Sequence, residues 1–530
     1  MFTKSISTLI LAFTITLFAN AQGIKSQFDI NKGPVFKIGK SDVHSAVFPR
    51  KDGGFYSLET SYGFGGVKLL LHNFSSDLKK LSEHELELDF GDEEHYFQGM
   101  FYENEVLYLL SGYRDKDAKK HSLYLHTINQ EAFRFNSESK VIASISYDGY
   151  KKSNIGSFYT RFSSDKSKFL IYQENPAEKD QKASYSVIVL DLKNNLNEIW
   201  SKNYQSELDY ELEDVIQRKV TNEGEVIVLF KQFNEKRKDK HKGEPNYSYE
   251  IRHISDKGES LETYPIHLEN EYITDMQMGI NDNGDIICTG FYSPEYGSSI
   301  TGCYFLLLDK ENKTIKKETK QAFSMDFLTD FMKERKVKKA KKKKEKGKDL
   351  ALYNYDLQDI VFRDDGGIIQ VAEQAYEVTR TYTDANGNTR SVTTYYYNTL
   401  IIISISPEGE IEWSRKIPKY QATSGAGRLW ASYYMDVVNN NMYFFHIGNA
   451  KNLLAEDYGD LKGWELGKKS VLVATEINVE GYSKKDVIFD AKTDKTIPAP
   501  KLIVKNDQDE LIVFAKYKKK ARYYKIVIKK

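Results

Sequence analysis

Three groupings in this 530-residue sequence have residue types and spacings that could do chemistry. The first is acidic: Asp89, Asp92, Glu93 and Glu94 cluster with His95, and Asp209 stands two residues from Glu211. Carboxylates paired across a sugar would serve acid–base work on a glycosidic bond. With 29% of residues charged, the commoner fate of such clusters is a solvated loop tip. The second grouping is basic. Residues 333–348 hold eleven Lys or Arg against Glu334 and Glu345, a net of +9 centred on Lys338, Lys339, Lys341, Lys342, Lys343 and Lys344. Lys518, Lys519 and Lys520 make a shorter run, and Lys236, Arg237, Lys238, Lys240 and Lys242 another. Runs of this kind attract polyanions or stay as solvated tails. The third is the cysteine pair, Cys288 and Cys303. If residue 289 pairs with residue 302 in a hairpin, the two thiols face each other and a cross-strand disulfide is geometrically allowed. Two buried free thiols are the alternative.

Familiar catalytic patterns are missing. There is no Gly-x-Ser-x-Gly elbow, no His-Glu-x-x-His and no phosphate-binding glycine loop. The ten histidines are dispersed, with none paired at metal-ligand spacing. Asp384-x-Asn386-x-Asn388 lacks the later acidic ligand of a calcium loop and reads as a hairpin tip. The sequence therefore predicts no catalytic, cofactor or metal residues. Lys plus Arg equals Asp plus Glu at 76 each, which argues against a polyelectrolyte that binds nucleic acid globally.

The elements that position these residues repeat. A strand-like run, an Asp/Asn/Gly turn and three further runs recur along the chain. The first turn is the sharpest marker: Asp52-Gly53-Gly54, Glu103-Asn104, Asp165-Lys166, Asn222-Glu223-Gly224, Asp282-Asn283-Gly284, Asp365-Gly366-Gly367, Asn440-Asn441 and Gln508-Asp509. Tight hairpins demand positive φ, which these residue types tolerate. In the fourth unit the strands are expected at 215–220, 226–230, 249–254 and 261–266. All-strand self-similarity points to radial repetition. The expected fold is all-β, a β-propeller of eight four-stranded blades, with seven as the alternative. The C-terminal unit has three strands, and Pro34–Ile38 is expected to supply its fourth and close the ring. Residues 319–354 depart from the pattern as a partly helical, Lys-rich insertion with Phe323, Phe327, Leu328 and Phe331 at helical spacing.

Residues 1–21 read as a signal peptide: Lys4, an apolar stretch from Ile6 to Phe18, then Ala19-Asn20-Ala21. Export to the periplasm or beyond is expected, with residues 22–530 as one propeller domain. No other stretch is long and apolar enough to span a membrane.

The segment from Tyr353 to Leu453, with Asp364-Asp365-Gly366-Gly367, Ala372-Glu373-Gln374 and Ile411-Glu412-Trp413-Ser414-Arg415-Lys416, resembles a family of uncharacterised exported β-propeller proteins of Bacteroidetes-type bacteria. That resemblance covers about a fifth of the chain; it implies a shared fold and export and assigns no catalytic residue. Pro407-Glu408-Gly409-Glu410-Ile411-Glu412-Trp413 and Asn194-Asn195-Leu196-Asn197-Glu198-Ile199-Trp200 resemble the turn and docking tryptophan of quinoprotein propellers. Only two units carry that tryptophan, and the adjacent cysteine pair of those enzymes is missing.

Long segments are expected on one face, formed by second-to-third-strand loops and interblade connections. Long loops on a rigid scaffold are where recognition sits. The leading expectation is a non-enzymatic envelope interaction or scaffold protein that binds a protein or polyanionic partner, an acidic glycan or lipid. The alternative is a propeller that binds or cleaves carbohydrate.

Overall fold

In the computed structural model the described residues are 24–529, except 41, 64–65, 91–92, 152–153, 242–243, 282, 296, 298, 310–311, 333, 347–349, 385–386, 455–460 and 465. The expected signal peptide and its cleavage site lie outside them, as do Lys333 and Lys348.

Eight antiparallel blades follow one another: seven are meanders of four strands in sequence order, blade six with two short strands added, and the eighth sets an N-terminal strand beside three C-terminal ones. Blade one comprises Val43–Pro49, Phe55–Gly63, Gly66–Phe74 and Lys80–Leu86. Blade four comprises Glu213–Val220, Val226–Phe233, Tyr247–Ser255 and Ser260–Ile266, each expected strand extended by a residue or more. All eight marker turns join a first strand to a second. Gly53, Gly224, Gly284 and Gly366 take φ of 76–93° there, and Asn104, Lys166, Asn440 and Asp509 take 50–61°. The chain is an eight-bladed β-propeller.

Strand alternation assembles the blades into a ring. In blade four, Val226, Val228 and Phe230 pack toward blade three, while Ile227 and Leu229 pack toward blade five. Clusters of this kind lie between every successive pair from blade one to blade seven. One larger cluster joins blades seven, eight and one. Full burial of each such side chain stabilises by about 1.5–3 kcal/mol, and the alternation spreads that gain evenly around the ring. Two tryptophans reinforce the seams. Trp200, on the outer strand of blade three, donates its indole N–H to Gly224 O of blade four at 3.0 Å. Trp413 of blade six does the same to Val479 O of blade seven at 2.8 Å.

The N-terminal segment completes blade eight, with a shift from the expected strand. Phe28–Lys32 pairs in antiparallel register with Lys520–Ile528, and only the short Phe36–Lys37 within the expected 34–38 adds two further rungs. Ile24 and Phe28 are buried in the cluster of blades seven, eight and one.

The cysteine hairpin corrects another expectation. Cys288 lies opposite Leu306 and Cys303 opposite Phe291, so the two are three rungs apart. An odd offset puts them on opposite faces of blade five: Cys288 packs toward blade four, Cys303 toward blade six. Both are buried free thiols, and no disulfide joins them.

The insertion begins later than expected, because the last strand of blade five runs through Ala322. A five-residue helix, Met325–Thr329, carries only Phe327 and Leu328 of the expected aromatic spacing; Phe323 and Phe331 flank it. Phe323 and Leu328 are buried in the cluster between blades five and six, docking the insertion. A second helix, Glu334–Glu345, exposes its lysines. Among the described residues no helix is long and apolar enough to cross a membrane.

Candidate functional site

The two faces of the ring differ. First-to-second and third-to-fourth turns hold five residues or fewer, whereas the second-to-third and interblade segments carry the insertion, the projecting hairpin of Ile368–Thr383 with Thr389–Ile405, and the segments 234–246, 418–432 and 450–469. In an antiparallel meander these two long classes emerge on the same side.

On that side a cleft of about 560 Å³ opens across blades two and three, and a second hollow of about 210 Å³ continues it toward blade four. They share Tyr159, Glu174, Asn175 and Tyr210. Several lining residues sit where a strand meets a long loop: Tyr96 opens the first strand of blade two, Tyr159 lies near the start of that of blade three, and Glu174 ends a second strand. Tyr96, Tyr159 and Tyr210 are each about two-fifths exposed there, at 41%, 37% and 42%.

A Tyr–His pair lies at one end. The Tyr96 hydroxyl is 2.5 Å from His121 Nε2, and Gln98 Nε2 donates to the same hydroxyl at 3.1 Å. His121 Nδ1 faces Ile155 O at 3.2 Å, which assigns the proton to Nδ1 and leaves Nε2 to accept from Tyr96. Burial lowers the pKa of His121 and raises that of Tyr96. The pair is therefore a neutral imidazole accepting from a protonated phenol.

Charge in the cleft comes in matched pairs. Arg218 bonds Glu174 while its guanidinium lies 4.0 Å from the centre of the Tyr159 ring and 4.6 Å from that of Tyr172. Arg252 bonds Glu213 at 2.6 Å, and Arg237 bonds Asp214. All three cleft carboxylates are thus each engaged by an arginine. Aromatic faces, amides (Asn154, Asn175, Gln98) and matched ion pairs together suit a polar, ring-shaped ligand.

The acidic clusters expected from the sequence do not build this cleft. Asp209 is 3.3 Å from Lys182, and Glu211 is exposed. It is Tyr210 between them that enters the lining. Asp89 pairs with Glu94 and Phe90 with Glu93 in a small hairpin outside it, and Asp92 lies beyond the described residues. The carboxylates present are Glu174, Glu213 and Asp214, which no sequence cluster marked.

Lys338, Lys339, Lys341, Lys342, Lys343 and Lys344 are all exposed on the second insertion helix, and Lys518, Lys519 and Lys520 are exposed at the second-to-third turn of blade eight. Both belong to the long-loop face, as do Lys236, Arg237 and Lys238. Ring order separates them, however: blade four and blade eight are diametrically opposed, and the helix stands between blades five and six. Around the ring these basic runs fall into separate patches.

The reading of dispersed histidines is also corrected. His44 and His72, on the first and third strands of blade one, meet around Glu59 of the second, and the three offer ligand atoms within 4.8 Å of one another. They lie at the seam with blade eight, away from the cleft.

No protein-family model matches the chain, and no curated protein matches it in sequence. Solved structures similar to it include the polysaccharide lyase Uly1, at 10% identity, TM-score 0.37, covering 93% of this chain and 92% of that one. The WD40 domain of SCAP from fission yeast aligns at 10% identity and TM-score 0.38 over 95% of each. The β-propeller domain of the trilobed protease from Pyrococcus furiosus aligns at 8% identity and TM-score 0.34, over 86% of this chain and 97% of that one.

Proposed function

We propose that the chain is an exported binding propeller whose long-loop face holds a neutral oligosaccharide across blades two to four. The observation that carries this is the cleft lined by Tyr96, Tyr159 and Tyr210 in which each carboxylate is already paired with an arginine. Exposed tyrosine rings take the C–H faces of sugar rings. The amides and the Tyr96–His121 pair take hydroxyls, which both donate and accept. Binding without cleavage is the expected chemistry, since among the described residues each cleft carboxylate is already engaged by an arginine. A screen of the full chain against immobilised neutral and acidic glycans, with product analysis by mass spectrometry, tests this. Retention of neutral oligosaccharides with no new reducing ends or unsaturated products is expected; depolymerisation would overturn it.

A second reading rests on the exposed lysines of Glu334–Glu345, which suit an acidic glycan, lipid headgroup or protein. Its binding would be salt-sensitive, because exposed charges are screened over about 8–10 Å at physiological ionic strength. Replacement of Lys341–Lys344 by Gln would then reduce retention on a polyanion resin with the melting temperature unchanged.

A further inference from the structure

Blade one buries a second group of chemistry-bearing residues that the cleft does not use. His44 is fully buried, His72 is 2% exposed and Glu59 is 5% exposed. Glu59 Oε2 lies 3.0 Å from His72 Nε2 and 3.4 Å from His44 Nε2. The edge of a tetrahedral site with bonds of about 2.0–2.1 Å is about 3.3 Å, so these separations suit donors sharing one ion.

Proton accounting points the same way. His72 faces a carboxylate on each side: Nε2 faces Glu59, and Nδ1 lies 3.4 Å from Glu83 Oε2. A neutral imidazole has one proton for two acceptors. His44 uses Nδ1 on Ser57 Oγ and the Tyr523 hydroxyl, each at 2.6 Å. Its Nε2, buried and aimed at Glu59, has no hydrogen-bonding partner in good geometry, and neither has His72 Nδ1. A cation between the two Nε2 atoms and Glu59 removes both difficulties, with His72 free to donate Nδ1–H to Glu83 in the carboxylate–histidine–metal arrangement. The other charges facing the group are Lys80, bonded to Glu83 at 2.7 Å, and Lys516, whose ammonium is held by the carbonyls of Gly39, Lys40 and Asp42.

We propose that His44, Glu59 and His72 form a site for one divalent transition-metal ion of the zinc class, with Glu83 behind His72. Two imidazoles and a carboxylate are zinc ligands; hard ions such as calcium and magnesium prefer all-oxygen sets. The ion would tie the first three strands of blade one together where Tyr523 and Phe514 of blade eight pack against His44. Its role is a staple at the closure of the ring.

The test uses the full chain stripped with chelator and dialysed against Zn²⁺, then, separately, Co²⁺. One tightly held Zn²⁺ per chain, a raised melting temperature reversed by chelator, and the visible absorption of tetrahedral Co²⁺ are expected. Glu59→Gln and His72→Gln should lose the ion. Tyr523→Phe, which removes one of the two hydrogen bonds at His44 Nδ1 but leaves Ser57 there and alters none of the three ligand atoms, should keep it. Zinc-free wild type, octahedral Co²⁺, or unchanged stoichiometry in the ligand variants would each overturn the site; the last would mark adventitious surface binding. If the ligand variants fail to fold, wild-type stoichiometry and the Co²⁺ spectrum decide by themselves.

Discussion

The Tyr96 ring reaches His121 by crossing Gly112. Gly112 pairs with Tyr96 on the neighbouring strand, and a Cβ built on it would stand 2.3 Å from Tyr96 Cζ and 2.5 Å from its hydroxyl. The glycine is there for space: the phenol occupies the volume a side chain would fill, and so meets an imidazole on the third strand of the same blade.

Gly112→Ala is therefore expected to push the Tyr96 ring aside and break its bond to His121. The displaced atoms are the far end of a side chain, so the blade should still fold. Loss of ligand affinity should match that of Tyr96→Phe, with the melting temperature lowered only modestly. Unchanged affinity in Gly112→Ala, measured by calorimetry, would remove the pair from the binding site.

Acid sensitivity follows from buried histidines. Burial, with Lys419 and Lys485 nearby, holds His446 down at about 3, and burial beside His95 holds His126 at about 4. The unfolded chain, with histidines near 6.5, takes up protons that the native state refuses. This stabilisation is complete above about pH 6.5 and is lost as pH falls toward 3–4, on the order of 3–5 kcal/mol for His446. Asp275, raised by burial to about 6, acts oppositely: its contribution is present below about pH 4 and lost as pH rises through 6. Melting temperatures between pH 7.5 and 4.5 should fall with acid, with a shallower slope in His446→Gln. Equal slopes would contradict the assignment.

How much of this was legible in the sequence depends on the range of the interaction. The eight blades were readable because a tight turn imposes its φ locally, so Asp52-Gly53-Gly54 or Asn440-Asn441 marks a blade without help from the rest of the fold. The cysteine register was not: register decides which face of a strand a residue takes, and the three-rung offset of Cys288 and Cys303 puts them on opposite faces. Glu174 and Arg218, 44 residues apart, and His44, Glu59 and His72 on three strands are joined only by blade geometry. One signal was available for the cleft. A tyrosine recurs near the start of first strands, at Tyr96, Tyr159, Tyr272, Tyr355 and Tyr433, a phase within the repeat that amounts to a ring of aromatic positions on one face.

Closure of the ring at the N-terminus depends on Phe28, which packs edge-on against Tyr443 and Phe445 of blade seven at 6.0 and 5.8 Å. Phe28→Ala should cost about 3–5 kcal/mol, visible in denaturant unfolding as a lower midpoint. Deletion of residues 24–40 should lower stability further by unpairing blade eight. A truncated chain with the wild-type midpoint would show that the segment does not close the ring.

Lys419 and Glu373 form an ion pair that is almost fully buried, bonded also to Gln421 and Ser432. Lys419→Met leaves a buried carboxylate without its cation and is expected to destabilise by about 3–5 kcal/mol. The double variant Lys419→Met with Glu373→Leu should recover most of that loss. A double variant as unstable as the sum of its parts would mean that packing, and not the pair, was removed.

The most direct measurement of the central claim is titration calorimetry of the full chain with the neutral oligosaccharide best retained in the glycan screen, repeated with Tyr159→Ala and with Lys341–Lys344 replaced by Gln. Truncating an aromatic anchor should weaken binding about fivefold or more, since such contacts carry upwards of about 1 kcal/mol, while the lysine variant binds as the wild type does. Wild-type affinity in Tyr159→Ala together with loss of binding in the lysine variant would place recognition on the insertion and contradict the cleft.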